Sequence, residues 1–247
     1  NKVIQIMVNG FPEAEIHELK NSRFKNPIIF AGFVGAGLVG PISINHMISE
    51  LGMKEIGFLR SKHLPPSTVF MQGRLRHPFR LYANKNGSMC AIICEIIINR
   101  EGLYTIASAI LDWAERHGSN EIVILDGVAS KKHDNKAFCA AEVDLCRVME
   151  SNGIEMIPQG FITGISGGIL NECLIRKISG VVLLAKANES LPDSLASVTL
   201  IEAINKTYGM KIDTAELKKQ EKQIGNDLKE LSDQYSEHKK LDSNMYM

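Results

Sequence analysis

Short runs of apolar residues recur along the chain and are bounded by Gly, Pro, Asn and charged residues. Runs of this length, rich in Val, Ile and Phe, predict β-strands. The predicted strands are Val3 to Val8, Pro27 to Ala31, Lys54 to Leu59, Thr68 to Met71, Phe79 to Ala83, Met89 to Ile98, Glu121 to Leu125, Met156 to Ile162 and Val181 to Ala185.

Segments whose apolar residues recur every three or four positions separate many of these strands and predict helices. The predicted helices are Leu38 to Leu51, Leu103 to Arg116, Ala141 to Ser151, Ile169 to Arg176 and Leu195 to Tyr208. This alternation predicts an α/β protein whose central sheet is flanked by helices. Because no helix is predicted between the strands from residue 54 to residue 98, that part should be antiparallel and the sheet mixed.

The composition changes after Gly209, where the sequence becomes dense in Lys, Glu, Gln and Asp. Asp213 and Glu216 have the spacing of a capping box, which predicts the start of a helix. Beyond it, apolar residues form a narrow helical seam: Leu217, Ile224, Leu228, Leu231 and Tyr235. We therefore predict a core domain at residues 1–209 and a charged helical arm with a tail at residues 210–247.

The 247 residues are 45% hydrophobic, and Lys plus Arg equals Asp plus Glu at 28 each. The balance gives no global field for nucleic acid or an anionic membrane, and no apolar run reaches the roughly 18 residues that span a bilayer. With no signal-peptide pattern at the start, we expect a cytoplasmic protein. Five cysteines lie in apolar segments without C-x-x-C spacing and are expected to be small buried hydrophobes: Cys90, Cys94, Cys139, Cys146 and Cys173.

The residues from Gly35 to Gly40 match G-x-G-x-x-G between a predicted strand and a predicted helix. This context is compatible with a dinucleotide or a phosphorylated ligand. A dinucleotide site would next need an acidic residue at the end of the following strand, where this chain has Arg60 and Ser61. We favour a glycine turn that lets helix and strand pack closely.

The residues from Gly164 to Gly168 match the G-x-S-x-G nucleophile elbow, with Ser166 as the nucleophile. A catalytic Ser needs a His base, and His238 on the charged arm is the only His that follows Ser166. His46, His63, His77, His117 and His133 precede it, which leaves another chain order open. A plain glycine turn at a helix start is the interpretation we favour.

A basic loop from Gly73 to Pro78 could bind a phosphate or an acidic partner, although a solvated turn is the simpler interpretation. The sequence contains no H-E-x-x-H and no P-loop lysine motif, and it shows no cluster of His and Cys. We assign no catalytic residue, metal site or cofactor.

Several of these motifs occur together in one order that resembles the proteasome assembly chaperone family, over about residues 27 to 208. The matching segments are Gly32 to Gly40, Leu64-Pro65-Pro66, Gly73 to Pro78, Gly127-Val128-Ala129, Thr163 to Gly167 and Leu191 to Ser197. The resemblance to archaeal members implies an α/β fold like that of nucleoside phosphorylases, without an established catalytic apparatus. Some relatives have been grouped with ATP-grasp enzymes, but this sequence shows no paired metal-binding carboxylates beside a phosphate-holding loop.

The last three residues, Met245, Tyr246 and Met247, place a hydrophobic side chain and a ring beside a terminal carboxylate. Such an ending can fill an apolar slot and pair with a Lys. Some members of the family carry a C-terminal hydrophobic-Tyr-any tripeptide that docks between adjacent α subunits of the core proteasome. The resemblance thus implies a proteasome-binding chaperone or activator that is not an enzyme. It also implies a homo-oligomer, with a tetramer favoured. The alternative is an enzyme that binds a nucleotide or phosphometabolite at Gly35 to Gly40.

Overall fold

The computed structural model describes residues 11–19, 24–132, 134–189 and 191–220. The predicted strand from Val3 to Val8, the seam residues after Leu217 and the terminal tripeptide lie outside this part of the chain. His133 and His238 also lie outside it.

The described residues alternate between strands and helices, as the apolar pattern predicts. The helices are α1 (Val39–Glu50), α2 (Leu103–Arg116), α3 (Val143–Ser151), α4 (Gly164–Arg176) and α5 (Ser194–Tyr208). The strands are β1 (Glu15–Glu18), β2 (Ile28–Gly32), β3 (Lys54–Arg60), β4 (Val69–Met71), β5 (Arg74–Arg76), β6 (Phe79–Ala83), β7 (Met89–Cys94), β8 (Glu121–Ala129), β9 (Ala137–Ala141), β10 (Glu155–Met156) and β11 (Ser179–Ala187).

Within the described residues, nine strands form one mixed sheet in the order β1-β3-β6-β7-β2-β8-β11-β9-β10. Its centre is parallel, because β2 pairs in parallel with β7 and β8, and β8 pairs in parallel with β11. On one side, β6 pairs antiparallel with both β3 and β7. The prediction of a mixed sheet with an antiparallel part between residues 54 and 98 is confirmed. Strands β4 and β5 form a separate hairpin.

Helices cover both faces of the sheet, so the central strands are buried on both sides. On one face, α2 and α4 pack against alternate strand residues such as Ile92 and Ile124. On the other face, α1, α3 and α5 pack against the intervening residues, such as Ile93 and Val123. Two hydrophobic cores therefore lie back to back across a single sheet.

Several boundaries differ from the sequence predictions; for example, the helix predicted from Ile169 begins at Gly164, and the strand predicted to end at Leu125 continues to Ala129. Residues 137–141 form β9, paired antiparallel with β11, so the helix predicted from Ala141 begins only at Val143. The strand predicted from Met156 to Ile162 is limited to Glu155–Met156. Pro158 lacks a backbone donor and Gly160 has little strand preference, so pairing stops early. Strand β7 ends at Cys94 rather than Ile98.

A buried ion pair crosses one end of the sheet. The Arg80 side chain on β6 is fully buried, and its Nη2 lies 2.6 Å from Glu95 Oε2, just after β7. Arg80 Nε also donates to the Tyr82 hydroxyl at 2.9 Å, and Nη1 donates to the His77 carbonyl. Asn45 Nδ2 of α1 donates to Glu95 Oε1 at 3.2 Å. These bonds connect β6, β7 and α1 at the carboxyl end of β7.

Candidate functional site

The two glycine motifs singled out in the sequence meet at the carboxyl edge of the parallel strands. Gly35 follows β2, and its neighbour β8 runs parallel to it, so both chains reach the same edge. A Cβ added at Gly35 would lie 2.4 Å from Asp126 Oδ1. Ser166 in the first turn of α4 donates to Asp126 Oδ2 at 3.0 Å. Asp126 therefore joins both motifs, although they are separated by more than one hundred residues.

The turn from Gly35 to Gly40 is filled by the protein's own atoms. Gly37 has a φ of 63°, and a Cβ there would lie 2.8 Å from the Asp193 Cβ. At Gly40, a Cβ would lie 2.7 Å from the Leu125 carbonyl oxygen. Since glycine permits both the left-handed conformation and the close approach, the geometry favours the packing interpretation over a dinucleotide site.

Asp126 is a partly buried carboxylate held by two donors. Its Oδ1 accepts from the Gly127 N–H at 2.8 Å, in addition to the bond from Ser166. Burial raises the pKa of the Asp126 carboxyl, and the hydrogen bonds from Gly127 and Ser166 offset part of that rise. Ser166 is only 2% exposed. A hydroxyl that is buried and already bonded to a carboxylate is suited to fixing α4 against β8 rather than to attacking a substrate.

Three of the described histidines that could serve as a base for Ser166 have other partners. His63 Nε2 lies 2.9 Å from Glu13 Oε2, and His117 Nε2 lies 2.7 Å from Glu18 Oε1. His77 stacks on Phe58 with ring centroids 3.8 Å apart. The described residues also contain no group of three or more His, Cys, Asp or Glu side chains arranged to hold a metal ion. No helix among these described residues is long and apolar enough to cross a bilayer.

The start of the C-terminal arm is fixed to the body. We call residues 210–220 the arm root. His46 Nε2 of α1 lies 2.5 Å from the Asp213 carbonyl oxygen, which can only accept, so Nε2 carries the proton. Asn205 of α5 bonds both the backbone N–H and the carbonyl of Ile212, at 2.9 and 2.8 Å. These bonds attach the arm root to the face formed by α1 and α5.

The helix of the arm begins at residue 215. Asp213 Oδ1 accepts from the Ala215 N–H at 3.0 Å, so the predicted Asp213 does help to start this helix. Leu217 is 2% exposed and packs in the core formed with α1 and α5. Lys218 Nζ lies 2.8 Å from Glu202 of α5 on the outer surface. The first residue of the predicted seam thus faces the body.

The sequence matches a family model over residues 29–232, and that model describes the PAC2 family. The chain belongs to the PAC2 family. The resemblance noted in the sequence is confirmed over most of the chain, including the arm root and part of the arm.

Solved structures share the fold. A Pyrococcus furiosus protein, PbaA, described as an archaeal homolog of proteasome-assembly chaperone, superposes with a TM-score of 0.85 at 25% identity, covering 95% of this chain and 98% of that one. A Thermoplasma acidophilum protein of unknown function is 35% identical, with a TM-score of 0.77 and coverage of 88% and 90%. PbaB of P. furiosus, described as an archaeal proteasome activator, has a TM-score of 0.80 at 22% identity, with coverage of 89% and 99%, which shows the fold alone.

Other motifs of this PAC2-family chain lie on the surface. The basic loop from Gly73 to Pro78 is the second half of the β4–β5 hairpin, whose tip has positive φ at Gln72 (51°) and Gly73 (76°), typical of a two-residue β-turn. Arg74 is exposed there and Arg76 is partly exposed. The simpler interpretation of this loop as a solvated turn fits its place at the end of a hairpin.

Sequence reasoning did not single out two aspartates that organise the carboxyl edge. Asp126 has no local signal, since it stands inside a strand and its partners are distant in sequence. Asp193 does have a local signal, because an Asp just before an apolar helical repeat predicts an N-cap. Its Oδ1 accepts from the Ala196 N–H at 2.9 Å, and its own N–H donates to the Gly37 carbonyl at 2.8 Å.

Proposed function

We propose that this protein binds the core proteasome, as an assembly chaperone or an activator-like protein, and that it is not an enzyme. Membership of the PAC2 family carries the proposal, and the likeness to PbaA over 95% of the chain supports it. The filled glycine turn and the buried Ser166 fit a protein whose activity is binding.

The contact we propose is made by Met245, Tyr246 and Met247 with pockets between adjacent α subunits. The Tyr246 ring fills an apolar slot, and the Met247 carboxylate pairs with a Lys of the α ring. The arm root supports this proposal, since it fixes where residues 221–247 leave the body. A fixed starting point reduces the conformational entropy lost when a tail is captured.

We propose that the protein forms a homo-oligomer, and the family resemblance favours a tetramer. One short tail binds weakly because ordering it costs entropy, whereas several tails on one particle raise the effective concentration and the avidity. Light scattering at micromolar concentration tests this directly. A monomeric mass would remove the avidity argument.

The tail is tested on immobilised core proteasome with Tyr246→Ala, with one residue appended after Met247, and with Met245→Leu as the matched control. Removing a buried ring at an interface costs about 2 kcal/mol, roughly 30-fold in affinity per tail. The appended residue should weaken binding comparably, since it moves the carboxylate from its Lys. Met245→Leu keeps volume and hydrophobicity and should bind nearly as wild type does. Equal binding by all four proteins would refute the docking proposal.

A further inference from the structure

Two segments singled out in the sequence meet in the structure and line one groove with a volume of about 610 Å³. One wall is the loop after β3, with Leu64, Pro65 and Pro66. The other wall is the end of the basic loop, with His77 and Pro78. A cavity of this size lies in the range of clefts that bind ligands.

Both walls of the groove are fixed by hydrogen bonds. The Ser61 hydroxyl accepts from the His63 N–H at 3.0 Å, which holds the turn at the start of the first wall. In the second wall, the Pro78 carbonyl accepts from the Glu95 N–H at 3.0 Å. Because these walls are already ordered, little binding free energy would be lost in ordering them around a ligand.

The ionisable side chains that line the groove are all basic, namely Arg60, Lys62 and His77. Lys62 is neutralised by an ion pair with Glu13. Arg60, in contrast, forms no ion pair within the described part of the chain, since Glu15, its partner across the sheet, lies 3.1 Å from His17 instead. The groove therefore has a guanidinium available for an anion.

The lining combines this charge with polar and apolar groups. The His77 ring stacks on Phe58 with centroids 3.8 Å apart, and its nitrogens have no hydrogen-bond partner among the residues described. Leu59 and Leu64 supply apolar surface beside it. A cation next to apolar surface is complementary to a carboxylate that adjoins an apolar side chain.

The groove continues into a second cavity of about 230 Å³, which shares Thr68, His77 and Pro78 with it. Arg76 and Glu55 line this extension, so the basic character of the groove is not reversed there. A site that runs through two connected cavities suits an extended segment better than a compact metabolite. In an extended peptide, neighbouring side chains alternate in direction, so an acidic and an apolar group can reach different walls.

We propose that this groove binds an acidic peptide segment of a partner protein, in which Asp or Glu residues alternate with apolar ones. A carboxylate of the segment pairs with Arg60, and an apolar side chain packs on Leu64 and the prolines of the walls. The inference does not depend on proteasome binding, which we assign to the terminal tripeptide.

The location of binding is tested by NMR on the isotope-labelled full chain with three hexapeptides blocked at both ends. The probe alternates Leu and Glu, one control alternates Leu and Lys, and the other alternates Ser and Glu. Only the probe should shift the amide signals of residues 61–64, 67, 68 and 77, because each control lacks either the carboxylates or the apolar side chains. No shift with the probe, or equal shifts with the Leu and Lys peptide, would overturn the proposal.

The role of Arg60 is tested by fluorescence anisotropy with a labelled form of the probe. Arg60→Gln should weaken binding about tenfold, since it removes the charged donor from the site. The matched control, Lys85→Gln, removes the same charge from an exposed residue outside the groove and should bind as the unaltered protein does. Unchanged amide signals of β8 would show that the Arg60 variant is folded.

Two further outcomes would also reject the proposal. Equal loss of affinity in both variants would assign binding to the net charge of the protein rather than to the groove. Shifts of the same amides that grow with protein concentration, in the absence of peptide, would show that a second copy of the chain occupies the groove.

Discussion

The attachment of the arm root can be tested by Leu217→Ala, because Leu217 is the described residue of the seam that enters the core. The side chain is 2% exposed and packs with the core on the α1 and α5 face. Leu→Ala removes the equivalent of about three methylene groups, worth about 2.4 kcal/mol at about 0.8 kcal/mol each. Neighbouring side chains can close part of the cavity, so we take about 2 kcal/mol as the expected loss.

This loss should act locally rather than on the whole fold. No strand of the described sheet comes from the arm root, so we expect that detaching residues 210–220 is a separate opening of low free energy. A loss of about 2 kcal/mol makes this opening roughly 30-fold more frequent. The Lys218 N–H, which donates to the Thr214 carbonyl at 3.1 Å, reports it directly.

The assay is amide exchange at Lys218, followed by NMR, beside that of central strand β8. The control is Lys218→Ala, which removes only an exposed ion pair with Glu202 that is worth less than about 1 kcal/mol. In this variant, exchange is measured at the amides next to residue 218. If Leu217→Ala left exchange at the arm root unchanged, or accelerated β8 equally, the arm root would not be a separate unit docked by Leu217. Proteasome binding should weaken in step with the increased opening, since the tails lose their fixed origin.

Three further predictions concern the body. Glu95→Ala leaves the Arg80 guanidinium buried without its carboxylate partner. This should lower the free energy of unfolding by about 3 kcal/mol, which would be seen as a lower denaturation midpoint. An unchanged midpoint would contradict the assigned ion pair. Burial raises the pKa of Asp126 in the folded state, so its contribution to stability is present below the unfolded pKa of about 4 and is lost as pH rises through the folded pKa. Asp126→Asn should therefore reduce the fall in the free energy of unfolding from acidic to neutral pH, measured by chemical denaturation at several pH values. If the pH dependence were unaltered in the variant, it would have to come from other groups. Gly37→Ala should destabilise the fold by about 2 kcal/mol more than Gly52→Ala does. Both glycines have positive φ, but only at Gly37 would the added methyl lie 2.8 and 2.9 Å from side-chain carbons. Equal losses of stability in thermal unfolding would rule out this steric explanation.

Where apolar periodicity is strong, the sequence predicted the elements closely. Helix α2 begins and ends at the predicted residues, Leu103 and Arg116, because its apolar side faces one core along its whole length. Strand β6 was likewise predicted with its observed limits. The antiparallel part of the sheet followed from the lack of room for a crossover helix, which parallel neighbours need.

Weak or misleading local signals explain the errors. Strand β1 reads Glu-Ile-His-Glu and lies at the edge of the sheet, so one apolar residue was too little to reveal it. Strand β9, with its small residues, resembles the start of a helix, and only its pairing with β11 makes it a strand. The apolar run after Met156 predicted a strand that Pro158 and Gly160 do not continue.

The sequence by itself determined the class of fold, most elements, the family and the candidate tail, because periodicity, turn residues and an ordered series of motifs are properties of neighbouring positions. Only the tertiary structure decided that Gly35 and Ser166 share Asp126, that Arg80 and Glu95 form a buried pair, and that the arm root docks through His46 and Leu217. Each of these depends on parallel strand order and helix packing, which bring together residues distant along the chain and leave no periodic trace in the sequence.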